Sequence, residues 1–244
     1  MHSPYRFLPL AALLLASPLG LRAQSASPAS GWQKSLGLSV TPTWCYRALG
    51  SSDSDSSIDN LVSYRDDIES SRVGFDAAAS LRLTHGEHLS LDAGLSFASR
   101  GFWVQGRPVN EQGVDPAYSP FIKSTYNYQF ISLPVQATYA FGQGRLRGFV
   151  GGGLALDYLL GVQTEKTIEF QGEREVTSSQ QTKGYRRANL TPRLTAGLRY
   201  ALTPTYSLEL APVVQYSLLG SRLHDTVSEH LCSAGLSVGV YRQL

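Results

Sequence analysis

The chain is decided by Phe130-Ile131-Ser132-Leu133-Pro134-Val135-Gln136-Ala137-Thr138-Tyr139-Ala140-Phe141 and its return through Leu146-Arg147-Gly148-Phe149-Val150-Gly151-Gly152-Gly153-Leu154-Ala155-Leu156-Asp157-Tyr158-Leu159-Leu160. Ile131, Leu133, Val135, Ala137, Tyr139 and Phe141 share one parity, as do Leu146, Val150, Leu154, Leu156, Tyr158 and Leu160. Ser132, Gln136, Thr138, Arg147, Gly151, Gly153 and Asp157 share the other. A strand turns successive side chains to opposite faces, so this is a hairpin with one apolar and one small or charged face, closed at Gly142-Gln143-Gly144-Arg145.

The same alternation recurs outward from the hairpin. Before it, strands are predicted from about Ser35 to Ala48, Ser71 to Thr84 and Leu89 to Arg100. After it, they run from Asn189 to Leu202, Tyr206 to Leu218, and from Ser233 to Val240. Short turns at Gly86–His88, Gly142–Arg145 and Thr203–Thr205 alternate with long loops at Leu49–Ser70, Gly101–Thr125, Gly161–Ala188 and Leu219–Glu229. In the third loop, Thr, Ile and Phe alternate with charge, a pattern that would extend the flanking strands. Eight strands with this asymmetry predict an all-β, closed eight-stranded antiparallel up-and-down transmembrane β-barrel with its long loops outside. An even number lets the first and last strands pair, which removes the sheet edges.

Residues 1–23 read as a signal peptide: a weakly basic start, an apolar run from Phe7 to Ala16, and Leu21-Arg22-Ala23 before Gln24. Residues 24–34 read as a short periplasmic linker and residues 35–244 as the barrel domain. The leading apolar run is too short for a spanning helix, which needs ~20 residues. Without Arg6 and Arg22, Lys+Arg falls from 21 to 19 against 19 Asp+Glu, so the mature chain is near neutral and carries no nucleic-acid footprint.

A soluble eight-stranded binder would show the same alternation with its apolar parity inside. Two features oppose that. The polar parity gathers Arg47, Arg82, Arg100, Arg147, Arg193 and Arg199 with Asp76, Asp92, Asp157 and Glu209, among Gly, Ser, Thr and Ala, as suits a narrow lumen rather than a water-exposed outside. Aromatics also collect at two heights: Trp44, Tyr46, Phe75, Phe97, Tyr128, Tyr158 and Tyr216 near the loops, and Tyr139, Phe141, Tyr200, Tyr206 and Tyr241 near the turns. The ten charges are expected to form a structural lumen network. A three-residue turn at Thr203–Thr205 sets Arg199 opposite Glu209, and one at Gly86–His88 sets Arg82 opposite Asp92.

No motif fixes a catalytic or metal site, and no cofactor is expected. His224-Asp225 with Ser221 or Ser228, and His230 nearby, is the best nucleophile-and-base candidate, but solvated loop residues account for it better. His85 and His88 read as turn residues, and Asp53, Asp55 and Asp59 lack the glycine and terminal glutamate of a calcium loop. Cys45 and Cys232 fall near the seam between first and last strands, but on opposite parities, so a disulfide there needs a bulge.

Phe130 to Phe141, with its internal Leu133-Pro134, and Gly151 to Leu160, glycine-rich and ending in Tyr158-Leu159-Leu160, resemble the small porin-like outer-membrane β-barrel family common in Bacteroidetes, the outer membrane protein beta-barrel domain. Ser99-Arg100-Gly101 and Tyr216 to Gly220 fit the same pattern. The resemblance implies an outer-membrane location and carries no catalytic residues. The functional expectation is a monomeric, non-enzymatic barrel with a side-chain-filled lumen, set in outer-membrane lipid, whose long loops meet other envelope proteins. The alternative is a narrow porin-like channel for small solutes, followed by a lipid-modifying enzyme.

Overall fold

The computed structural model describes residues 31–51, 56–108, 120–222 and 227–244. The expected signal peptide, and with it most of the linker, lies outside them. Nine strands and one helix follow in order: β1 (Trp32–Ser51), α1 (Ser56–Ile68), β2 (Glu69–His85), β3 (Leu89–Pro108), β4 (Phe121–Phe141), β5 (Leu146–Phe170), β6 (Glu173–Gln181), β7 (Ala188–Ala201), β8 (Tyr206–Tyr216) and β9 (Val227–Gln243). The strand expected from Ser35 already begins at Trp32.

Eight strands form the ring, in the order β4-β3-β2-β1-β9-β8-β7-β5, and β4–β5 pairing closes it. All pairs are antiparallel, including the β1–β9 seam from Ser35↔Gln243 to Ser51↔Val227. β6 stands outside the ring and pairs with the far half of β5, from Val162↔Gln181 to Phe170↔Glu173. The alternation that suggested prolonged strands in the third loop is this hairpin. Its turn needs the positive φ of Gly172 (85°), beside Gln171 (51°).

The outward parity is apolar and exposed on every ring strand. Trp44, Leu95, Leu133, Val135, Leu154, Leu156, Leu194 and Val214 all stand free of protein contact on their outer side, which is affordable only against lipid. Phe97, Tyr158 and Tyr216 mark one interface, and Tyr139, Phe141 and Tyr200 the other; all six are exposed. Along β4 the two girdles lie at about Ile131, opposite Tyr158, and at Tyr139 to Phe141, close to the ~9–11 residues a tilted strand needs to cross. β4 has 21 residues and β5 has 25, so both continue well beyond the outer girdle.

Four expectations need correction. Tyr128 and Tyr241 do not belong to the girdles. Tyr128 shares the parity of Ser132 and Gln136 and is 1% exposed, inside the barrel. Tyr241 shares the parity of Gly235 and Gly239, and its ring lies under the Arg82 guanidinium at 3.7 Å. The loop expected over Leu49–Ser70 contains α1, whose Val62, Arg65 and Ile68 are half-buried at helical spacing while Tyr64, Asp66 and Asp67 are exposed. The last loop is shorter than expected, because β9 begins at Val227 and takes Glu229 into the wall.

A β-bulge separates Gln129↔Gly161 from Phe130↔Leu159, leaving Leu160 as the extra residue. It shifts the parity of β5, so that Leu160 faces lipid while Val162, two residues on, is buried in the lumen. Val135 lies midway between the girdles. Val135→Arg is expected to cost about 2–4 kcal/mol of folding free energy in lipid vesicles. Urea unfolding read by heat-modifiable gel mobility checks this, and an unchanged midpoint contradicts the lipid-facing assignment.

Candidate functional site in the barrel lumen

Inward positions carry the polar parity of every strand, and their charges gather at three heights. Nearest the short turns, Arg82 meets Asp92 (Nε–Oδ1 2.7 Å) and Glu209 (Nη2–Oε2 3.0 Å), and Arg199 shares Glu209 (Nε–Oε1 2.5 Å). The registers Arg82↔Asp92 and Arg199↔Glu209 follow from the three-residue turns below them. β2–β3 and β7–β8 are not neighbours in the ring, so the Arg82–Glu209 contact crosses the lumen.

The second height is built on Arg100, which is 3% exposed. Its Nη1 donates to Asp157 Oδ2 at 2.8 Å, its Nη2 to Gln215 Oε1 at 2.9 Å, and Asp76 Oδ2 lies 3.5 Å from Nη2. Thr191 Oγ1 adds a hydrogen bond to Asp157 at 2.7 Å. Two carboxylates share one guanidinium here.

Above this, an aromatic plug of Phe102, Tyr128, Phe130 and Tyr185, with Leu159, Val162 and Leu231, fills the lumen. Tyr185 meets Tyr128 edge-on at 5.6 Å and 84°, one of the favoured aromatic geometries. The Arg47 guanidinium covers Phe102 at 3.9 Å, joining the plug to the third cluster. Arg47 pairs with Glu69, and with Glu229 at 2.8 Å. Glu229 also takes Arg65 of α1 at 3.2 Å and Arg222 at 3.4 Å. Asp66 of α1 accepts a hydrogen bond from Tyr46. The helix is thereby tied to both sides of the β1–β9 seam.

The ten expected charges therefore fall into separate groups. Arg82, Asp92, Arg199 and Glu209 come together, as do Arg100, Asp76 and Asp157, while Arg47 belongs with outer-end partners the pattern did not offer. Arg147 needs correction: it is no part of the lumen network but lies at the turn-end rim, half-exposed, with Glu87 as its partner at 3.2 Å. Arg193 lines the lumen but makes no ion pair or hydrogen bond among the described residues, and its Nε is buried without a partner. Glu229 was reachable by continuing the alternation of Ser233 and Leu231 backward. Glu69 was not, because a bulge between Ser71 and Phe75 breaks the parity that leads to it.

Of the other candidates, Ser221 is buried with its Oγ unpartnered, while Ser228 and His230 are engaged elsewhere. Ser228 Oγ donates to the Gly50 carbonyl at 3.0 Å, and His230 stacks on Tyr216 at 5.3 Å with its Nδ1 2.8 Å from the Ser217 carbonyl. His224, Asp225, Asp53 and Asp55 lie outside the described residues, and nothing is described of the Asp59 side chain. His88 stacks on Tyr139, and His85 packs against Trp32 with the rings tilted by 42°. Among the described residues no group of three His, Cys, Asp or Glu is placed to hold a metal. Cys45 and Cys232 are free; the registers Cys45↔Ser233 and Tyr46↔Cys232 put them on opposite faces of the wall.

The family model described as outer membrane protein beta-barrel domain matches residues 23–218. The chain belongs to that family. Membership agrees with the lipid-facing girdles and places the protein in the outer membrane, with lipid as its surroundings. No curated protein matches the chain. Among solved structures it is similar to Neisserial surface protein A (16% identity, 88% of this chain and 99% of that one, TM-score 0.45). It is also similar to the N-terminal β-barrel domain of OprF from Pseudomonas aeruginosa (14%, 84% and 96%, TM-score 0.34). A third is the outer membrane protease OmpT from Escherichia coli (9%, 91% and 99%, TM-score 0.41).

Arg82→Met strands Asp92 in the lumen and is expected to cost about 3–5 kcal/mol. Adding Asp92→Asn is expected to recover part of that loss, since Glu209 keeps Arg199; a double-mutant cycle on urea unfolding in vesicles reads the coupling. Strict additivity of the two substitutions would contradict the cluster.

Proposed function

We propose that the protein is a non-enzymatic, monomeric outer-membrane barrel with a filled lumen, whose extracellular extension serves a structural or interaction role in the cell envelope. The observation that supports this most is the aromatic plug above two ion-pair clusters: Phe102, Tyr128, Phe130 and Leu159 occupy the space a solute would need. Eight strands leave an interior that side chains can fill, and here large ones do. The outer end, by contrast, is elaborated. β4, β5 and β6 rise past the girdle as a continuous sheet, and across the ring from them α1 is anchored at the β1–β9 seam by Arg65 and Tyr46. Such extension is unnecessary for spanning and offers exposed surface for contact with another envelope protein, since every residue of β6 is exposed and all but Val176 are polar.

The second reading, a narrow porin-like channel for small solutes, is favoured by one feature, a lumen cavity of about 70 Å³ beside Arg193. Planar-bilayer recording separates the two. The filled-lumen reading expects no stable conductance from the wild type; large, ion-selective, persistent openings would establish the channel instead.

The extension is further expected to be separable from the barrel. Replacing residues 165–179 by a short turn should leave heat-modifiable mobility intact and shift folding free energy by less than about 1 kcal/mol, as for surface changes away from the core. Loss of the folded band would show that the extension is part of barrel stability rather than a surface for partners.

A further inference from the structure

We propose that the lumen cavity beside Arg193 is a binding site for a small inorganic anion of halide type. The cavity is about 70 Å³ and lies in the turn-side half of the barrel. One water needs ~10–15 Å³ of such space, so an ion with part of its hydration shell fits.

Charge decides what enters. Arg82, Arg193, Asp92 and Glu209 line the cavity, and Arg199 adjoins it through Glu209. Three arginines thus face two carboxylates. Both carboxylates are already engaged: Asp92 by Arg82, and Glu209 by Arg82 and Arg199. Arg193 has no protein acceptor among the described residues, and its Nε is shielded from solvent. A further donor, Arg199 Nη2, is also buried without a partner. The surplus is therefore of cationic donors, in a place where an uncompensated charge is costly.

The lumen holds a carboxylate in excess elsewhere, since Arg100 faces both Asp76 and Asp157. No contact within salt-bridge distance joins either to Arg193, so that excess is not its direct partner. Ser39, Gln136 and Ser237 also line the cavity, with hydroxyl and amide groups suited to an anion's remaining shell. Gly153, opposite Arg193 in register, is held to glycine by β4, since a Cβ there would stand 2.2 Å from the Val135 carbonyl.

The test uses the full mature barrel in detergent, crystallised with bromide as the halide, and reads anomalous scattering. A bromide peak within hydrogen-bond distance of the Arg193 guanidinium is expected in the wild type, and its loss in Arg193→Gln. Apparent unfolding temperature should also rise saturably with bromide against gluconate at equal ionic strength, in the wild type and not in Arg193→Gln. No peak beside Arg193 in the wild type, or a peak that persists in Arg193→Gln, overturns the proposal. Wild-type occupancy is read directly, so an empty cavity overturns the proposal even where Arg193→Gln fails to fold.

Discussion

Backbone hydrogen bonding in lipid is the constraint on which everything else rests. A strand in the hydrocarbon region has no water to satisfy its N–H and C=O groups, so every strand must have two neighbours and the sheet must close. Here closure falls to the β1–β9 seam, where first and last ring strands pair over the full height of the wall. Once the sheet is closed, side-chain parity acquires a fixed meaning. One set faces lipid and is apolar, and the other faces a lumen too narrow to stay empty. β6 has only one neighbour, and it is found only on the part of β5 that lies beyond the outer girdle.

The narrow lumen in turn governs its charges. An arginine or carboxylate there is held within reach of its opposite number or else stays poorly solvated, and removing one partner of such a pair leaves an uncompensated buried charge. The Arg82–Glu209 contact spans strands that are not adjacent, so it ties the barrel across its interior, while the Arg100 cluster joins β2, β3, β5 and β8 in the same way. The inward charges between rim and plug, Arg82, Arg100, Arg193 and Arg199 against Asp76, Asp92, Asp157 and Glu209, balance in number. They do not balance locally, and that imbalance isolates Arg193.

Much of this was legible in the residues because strand alternation is local and turn length fixes register. The hairpin from Phe130 to Leu160 identified the lipid face, and the Thr203–Thr205 turn was enough to set Arg199 against Glu209. What escaped was whatever parity or local composition does not report. Glu69 lies beyond a bulge. α1 hides in a Ser- and Asp-rich stretch whose half-buried face comes from packing on the barrel. Tyr128 and Tyr241 are a different case: they sit at girdle height, but their parity, shared with Ser132 and with Gly239, already turns them inward. Partners across the lumen depend on strand tilt and ring order, which no single hairpin encodes.

The central claim is the direction of the two faces of β4, and lipid-confined quenching measures it most directly. In a Cys45→Ser, Cys232→Ser background, single cysteines placed at successive positions from 131 to 139 are labelled with a fluorophore in vesicles containing a brominated lipid. Quenching is predicted at 131, 133, 135, 137 and 139, with little at the positions between. The inverse alternation, or uniform access of a water-soluble quencher, would contradict the account.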